Sequence, residues 1–249
     1  MIYMEIRNLK KVYNPYGVHP KVALNGLDFE VEKGDFICIM GASGSGKTTL
    51  VNILSTIDEA THGQILLNQK DLLLLSEKEK ANLRKEEIGF IFQNYNLIES
   101  LTIKNNILFS LRLNKVEQKI QLEKLNELTK MLNIEEIIDK YPSQCSGGQQ
   151  QRAAIARALI NEPKIIFADE PTGNLDSLNA RELMEYFVKI NEGKYTTIIM
   201  VTHDSFVASY SKKVYYMKDG HLDLSIDRNT KSQDDYYKEI VRVITQMHI

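Results

Sequence analysis

The chain has 249 residues, 43% apolar and 26% charged, ordinary globular proportions that exclude a wholly disordered or collagenous polypeptide. Lys and Arg number 31 against 33 Asp and Glu, a formal net charge of −2, so the chain lacks the strong positive charge of many nucleic-acid-binding proteins. Cys38 and Cys145 lie far apart and form no CxxC pair, which argues against a disulfide scaffold or a cysteine zinc site and fits a reducing compartment.

Met1–Arg7 mixes charge into its apolar residues and does not read as a signal peptide. Apolar runs such as Leu72–Leu75 fall far short of the roughly 20 residues a spanning helix needs. A cytosolic chain that meets a membrane only through a partner is therefore expected. Tyr3–Tyr13 and Val22–Glu32 mostly alternate, with Leu27, Phe29 and Val31 on one face, and predict two strands around a loop at Asn14–Pro20. Asp35–Met40 reads as a strand buried on both faces, followed by a glycine-rich turn and a helix from about Lys47. Residues 95–160 read mainly as helix, with Ile120, Leu125, Leu128 and Leu132 recurring among charged residues that form a solvated face. Strands return at Ile165–Ala168, Ile198–Thr202 and Val214–Met217. Strands alternating with helices predict an α/β fold, a parallel sheet with helices on both sides.

Gly41-Ala42-Ser43-Gly44-Ser45-Gly46-Lys47-Thr48 satisfies the phosphate-loop pattern G-x4-G-K-[ST] in full. Glycines let the backbone curl until successive N–H groups face phosphate oxygens, and the helix that follows points its N-terminal dipole at the same anion. Lys47 supplies a charge for the β- and γ-phosphates and the Thr48 hydroxyl a ligand for Mg2+. A dinucleotide site is excluded, because Gly44-Ser45-Gly46 is followed at the third position by Thr49 rather than Gly or Ala.

Ile165–Ala168 runs into Asp169 and Glu170, two carboxylates at the sheet edge where the phosphate loop also sits. Asp169 is placed to hold Mg2+ through water, and Glu170 to orient or deprotonate an attacking water. Ile198–Thr202 ends in the same way at His203, placed to contact a γ-phosphate. His19, His62, His221 and His248 lack such a setting and read as structural or surface residues.

Ser146-Gly147-Gly148-Gln149 opens a helix that runs through Arg152, Ile155 and Leu159. Ser146 is a good N-cap, and a helix start of this kind suits a phosphate. It carries no lysine and no strand leads into it, so it looks like half a site. Two chains arranged head to tail, each lending this turn to the other's phosphate loop, complete both sites in a closed dimer.

In combination these motifs resemble the nucleotide-binding subunit of an ATP-binding cassette (ABC) transporter over about residues 1–222. The resemblance implies a P-loop NTPase (RecA-like) core with an antiparallel β subdomain and a helical subdomain inserted at about 95–160. Together these would form a nucleotide-binding domain at 1–227, followed by a C-terminal helical extension at 228–249. It makes Gly41–Thr48 the Walker A loop, with Gly41, Ser43, Gly44, Ser45, Gly46, Lys47, Thr48 and Thr49 on the nucleotide. Gln93 becomes the Q-loop glutamine, and Cys145–Gln149 the signature, which binds through Ser146, Gly147, Gly148 and Gln149. Asp169 and Glu170 become the Walker B acids, Asn174–Asp176 the D-loop with Asp176 at the nucleotide, and His203 the switch histidine. Tyr13 matches the aromatic that stacks on adenine, and Val22 joins it in the nucleotide site. Glu170, His203, Lys47 and Gln93 are then catalytic, ATP and Mg2+ are the cofactors, and Thr48, Gln93 and Asp169 hold the metal.

The partners implied are a second copy in an ATP sandwich and an integral membrane permease, whose short helix enters the Q-loop joint at Phe92–Ile98 beside the helical subdomain. No nucleic acid is expected. The chain would be cytoplasmic, reaching the inner face of the cell membrane only through the permease. Cys145 departs from the usual leucine of the signature and is expected to pack as a small hydrophobe.

Asn14–Lys21, Leu97–Ile103 and Pro171–Asp176 resemble one ABC branch. That branch holds lipoprotein-releasing, macrolide-export and antimicrobial-peptide-resistance transporters and the cell-division ATPase. Beyond Asp227, Tyr236, Ile240, Val243, Ile244 and Met247 share a helical face, expected to pack on its own domain rather than dock a partner. Such a tail resembles the bacitracin- and lantibiotic-resistance subgroup of low-GC Gram-positive bacteria. A soluble ABC ATPase of the translation or DNA-repair type would carry two cassettes or a long coiled coil. A small-molecule kinase would leave Ser146–Gln149 and His203 without a role.

Overall fold

The computed structural model of the protein describes residues 1–194 and 196–247. Its N-terminal third builds β1 (Ile2–Tyr13), β2 (Lys21–Glu32), β3 (Phe36–Met40), α1 (Lys47–Leu54), β4 (His62–Leu67), β5 (Lys70–Asp71), α2 (Glu77–Glu86) and β6 (Ile88–Ile91). The middle is helical: α3 (Ile103–Leu113), α4 (Gln118–Met131) and, after two 3-10 turns, α5 (Gly147–Leu159). Strand and helix then alternate through β7 (Ile165–Asp169), α6 (Ser177–Lys194), β8 (Thr197–Thr202), α7 (Ser205–Ala208), β9 (Lys213–Lys218), β10 (His221–Asp227) and α8 (Gln233–Met247).

Two sheets form. An antiparallel one is ordered β2-β1-β4-β5, with Ile6 opposite Phe29 on one side and Ile65 on the other. A larger one is ordered β10-β9-β3-β8-β7-β6. Its strands are parallel from β9 to β6, and β10 turns back antiparallel along β9. The purely parallel sheet expected is thus closed by an antiparallel edge. Period-two alternation decides which layer each side chain joins. In β3, Ile37 and Ile39 pack with α1 and the antiparallel sheet, whereas Phe36, Cys38 and Met40 pack toward the helices on the opposite face. With both faces covered, every residue of β3, β7 and β8 is buried.

Leu125, Leu128 and Leu132 are buried in the helical layer, but Ile120 is 40% exposed. It stands five residues before Leu125, about 140° around a helix that turns roughly 100° per residue, and so leaves their stripe. Segments β4, β5, α2 and β6, which no local pattern announced, fill the stretch between α1 and α3. In α8, Tyr236 and Ile240 are fully buried and Val243 and Ile244 lean on the same core. The Tyr236 hydroxyl donates to the Ile226 carbonyl at 2.7 Å, so the tail packs on its own chain. The side chain of Met247 and His248 lie outside the described residues. Among the described residues, no helix is long and apolar enough to cross a membrane.

Candidate active site

The chain leaves β3 into the loop Gly41–Gly46 and enters α1 at Lys47. Gly46 has φ 107°, and a Cβ there would stand 2.4 Å from the Ala23 carbonyl oxygen, so conformation and space both require glycine. Lys47 is buried, and its Nζ donates to the carbonyls of Gly41 at 2.8 Å and Ala42 at 3.0 Å. It also lies 3.9 Å from Glu170 Oε1. Burial pulls the ammonium below its ordinary pKa, against the opposing pull of Glu170 and Asp169. Ser43 and Gly44 are exposed on the loop, while the Ser45 hydroxyl is buried without a partner among the described residues.

Strands β3, β8 and β7 are neighbours, so their C-terminal ends open at one edge. The Thr48 hydroxyl donates to Asp169 Oδ1 at 3.0 Å. Burial pushes the Asp169 carboxyl up; Thr48 and Lys47 resist and Glu170 adds to the rise. Glu170 follows in the left-handed region at φ 45°, its N–H bound to the Val201 carbonyl at 3.0 Å and its own carbonyl accepting from Gly173 at 3.0 Å. Such a backbone costs about 1 kcal/mol or more and is held by its surroundings. It turns the carboxylate to His203, whose Nδ1 lies 3.0 Å from both oxygens. Two hard oxygen donors meeting at Thr48 and Asp169 fit Mg2+. Among the described residues no three His, Cys, Asp or Glu side chains cluster into a protein-only cage. A magnesium ion here would complete its shell from phosphate and water oxygens, as that ion usually does.

At the other end of the loop, the Tyr13 hydroxyl donates to Asp58 Oδ2 at 2.8 Å and lies 3.4 Å from Thr49 Oγ1. Lys11 Nζ sits 4.7 Å from the Tyr13 ring centre and donates to Asp58 Oδ1 at 2.7 Å. Burial would raise the Asp58 carboxyl, but the bonds from Lys11 and Tyr13 outweigh it and hold it below its usual value. Val22 faces outward, half exposed, opposite Val12.

The serine–glycine turn joins a different group. Ser146 and Gln149 cap each other across the start of α5, Gln149 N–H to Ser146 Oγ at 3.3 Å and Ser146 N–H to Gln149 Oε1 at 2.9 Å. A Cβ on Gly147 would lie 2.9 Å from the Tyr95 hydroxyl, and one on Gly148 3.1 Å from Asn179 Oδ1. The Gln93 carbonyl accepts from Asn174 Nδ2 at 3.0 Å, and its amide nitrogen lies 3.2 Å from where a Gly173 Cβ would stand. Asp176 caps α6, accepting from Asn179 N–H at 2.9 Å and Nδ2 at 2.7 Å. Cys145 is half-buried against the core, its thiol donating to the Tyr141 carbonyl at 3.4 Å and raised by burial. No hydrogen bond or ion pair among the described residues joins Ser146–Gln149 to Gly41–Thr48.

The structure therefore gathers Lys47, Thr48, Asp169, Glu170 and His203 in one place, and Gln93, Ser146–Gln149 and Asp176 around another. Asp58, Tyr95, Arg157 and Asn179 were not anticipated. Each also meets a partner at least 27 residues away, a contact that no local spacing advertises.

The family model described as ABC transporter matches residues 24–173. A bacitracin export ATP-binding protein of Halalkalibacterium halodurans is 46% identical over 97% of this chain and 95% of its own length. A lipoprotein-releasing system ATP-binding protein of Aquifex aeolicus is 42% identical over 88% of the chain and 95% of its own. Among solved structures, the dimeric post-hydrolysis state of the ATP-binding cassette MJ0796 bound to ADP and Pi superposes with a TM-score of 0.85 at 36% identity, covering 90% of this chain and 98% of that one.

Proposed function

The chain belongs to the ABC transporter family, and from that premise we propose that it is the ATP-hydrolysing subunit of an exporter protecting against antimicrobial peptides of the bacitracin type. One observation carries the catalytic part. Neighbouring strands β3, β8 and β7 deliver the lysine-bearing loop, His203 and the Asp169–Glu170 pair to a single edge, where their side chains touch.

In this reading the N–H groups of Gly41, Ser43, Gly44, Ser45 and Gly46 surround the phosphates, with Thr48 and Thr49 at the helix start. Lys47 turns from its own loop carbonyls to the β- and γ-phosphates. Thr48 and Asp169 would hold Mg2+, with Gln93, which stands beside Gly173, as the further ligand; the ion would neutralise charge on those oxygens when bound. Glu170 takes the proton of the attacking water, oriented by His203. Lys11 covers one side of the Tyr13 ring, which leaves the other for adenine beside Val22. Ser146, Gly147, Gly148, Gln149 and Asp176 serve the nucleotide held by a second copy, in the closed dimer of an ATP sandwich.

Residues 1–227 form the nucleotide-binding domain, with its helical subdomain inserted at 95–160, and 228–249 form a C-terminal helical extension. The permease docks at the Q-loop joint and the helical subdomain, which places the chain on the inner face of the membrane. The bacitracin branch is supported by the relative that aligns over 97% of the chain and so reaches into α8; the lipoprotein-releasing relative, the alternative, aligns over 88%.

Glu170→Gln tests the catalytic assignment. Turnover should fall by roughly 10²–10⁴-fold, the usual worth of a general base, with ATP binding retained. Near-normal phosphate release in that variant would remove Glu170 from the role.

A further inference from the structure

Arg157 lies in α5, about three turns beyond the signature serine, and makes no ion pair among the described residues. Its guanidinium instead donates to two successive backbone carbonyls of the Q-loop joint, Tyr95 at 2.7 Å and Asn96. Burial alone pulls this guanidinium below its ordinary pKa. Both acceptors sit in the left-handed region, Tyr95 at φ 60° and Asn96 at φ 49°. Two consecutive residues of this kind store strain that their surroundings must hold; the backbone bonds of the turn itself, Tyr95 N–H to the Phe92 carbonyl and Asn96 N–H to the Asn94 carbonyl, share that work with the Arg157 fork, which is the side chain that reaches both carbonyls. A planar fork reaching two acceptors is a geometry lysine does not reproduce.

The strained turn has a use. It places the Tyr95 ring so that its hydroxyl lies 2.9 Å from where any Cβ on Gly147 would stand, beside Asn174, whose amide holds the Gln93 carbonyl at 3.0 Å. Gly147 is not at positive φ; the Tyr95 hydroxyl occupies the space where a side chain would begin. The Q-loop joint, the D-loop and the serine–glycine turn therefore meet at one aromatic side chain.

We propose that Arg157 is a positioning residue for ATP hydrolysis: by clamping the carbonyls of Tyr95 and Asn96 it makes Tyr95 the floor under Gly147, so that the signature turn is presented to the partner copy's nucleotide only while the permease-facing joint is in place. This rests on the ATP-sandwich reading above. The clamp converts a displacement of the Q-loop into a displacement of the turn, without touching the chain's own phosphate loop.

The test uses the full chain with Glu170→Gln, so that Mg·ATP-driven association is read by light scattering without turnover. Adding Arg157→Lys should raise the ATP concentration at half-association by about tenfold, the worth of one charge-assisted hydrogen bond. Tyr95→Phe, which keeps the ring but drops the hydroxyl, should move it in the same direction by less. Affinity of the monomer for Mg·ADP should stay at its parental value, because the chain's own phosphate loop is untouched. Unchanged half-association in Arg157→Lys overturns the proposal, as does a parallel loss of ADP affinity, which would mark a merely structural role. If the Glu170→Gln parent itself stays monomeric under saturating Mg·ATP, the sandwich reading fails and the clamp fails with it.

Discussion

Asp169 is buried 8% exposed beside a second carboxylate, and its folded-state pKa is raised by burial and by Glu170 above the ordinary aspartate value of 3.8. A raised folded pKa means that the ionised form costs the folded state stability. The cost is present at neutral pH and disappears as pH falls through the raised pKa. Asp169→Asn keeps an acceptor for the Thr48 hydroxyl while removing the charge. The apo variant should therefore melt higher than the parent at pH 7, read from its thermal unfolding midpoint. The gain should shrink as the buffer is acidified toward pH 4, and Mg2+-dependent hydrolysis should be lost at every pH. A variant that melts below the parent at neutral pH would show that the carboxylate is a net stabiliser. This residue was legible because its chemistry is local: a buried run that ends in an acid advertises itself. Asp58 was not, because it acquires its role only from Lys11 and Tyr13, more than 40 residues away.

Among the elements, α8 tests what a tail is for. Ile240 is fully buried on it, and Tyr236 ties it to the end of β10 through the Ile226 carbonyl. Ile240→Ala should lower the unfolding free energy of the isolated subunit by about 2–5 kcal/mol, read from denaturant titration. Hydrolysis per folded molecule should be unchanged. A helix reserved for docking a partner would give no stability loss in the isolated chain. Strands β3, β7 and β8 could be read from sequence because burial on both faces leaves an unbroken apolar run. The stretch from β4 to β6 gave no such signal. In α2 only Leu83 leans on the core, and the helix is fixed by the Ser76–Glu79 capping box rather than by an apolar stripe. In β6 the run is interrupted by Gly89, needed because a Cβ there would stand 2.9 Å from the Ala158 carbonyl oxygen. A close approach between distant elements is invisible to any window of neighbouring residues.

At the scale of the whole molecule, the separation of the lysine-bearing loop from the serine–glycine turn makes one chain chemically incomplete under the sandwich reading. Lys47→Ala removes the phosphate lysine and leaves Ser146–Gln149 intact; Ser146→Arg blocks the turn and leaves Gly41–Thr48 intact. Each variant alone should form only sites with one dead half. In a mixed dimer, one site inherits both defects, but the other pairs the intact loop of the Ser146→Arg chain with the intact turn of the Lys47→Ala chain. Random reassortment of equal amounts makes roughly half of the dimers mixed. Phosphate release should therefore reappear on mixing two inactive preparations and follow the product of their concentrations. A site complete within a single chain predicts no recovery at any ratio. Recovery with Arg157→Lys introduced on the Ser146→Arg chain should match that of the unmodified mixture, because that chain's turn is already unused. Placed on the Lys47→Ala chain, whose turn is the working one, the same change should reduce it. The asymmetry follows from which copy's Q-loop joint supports which copy's nucleotide.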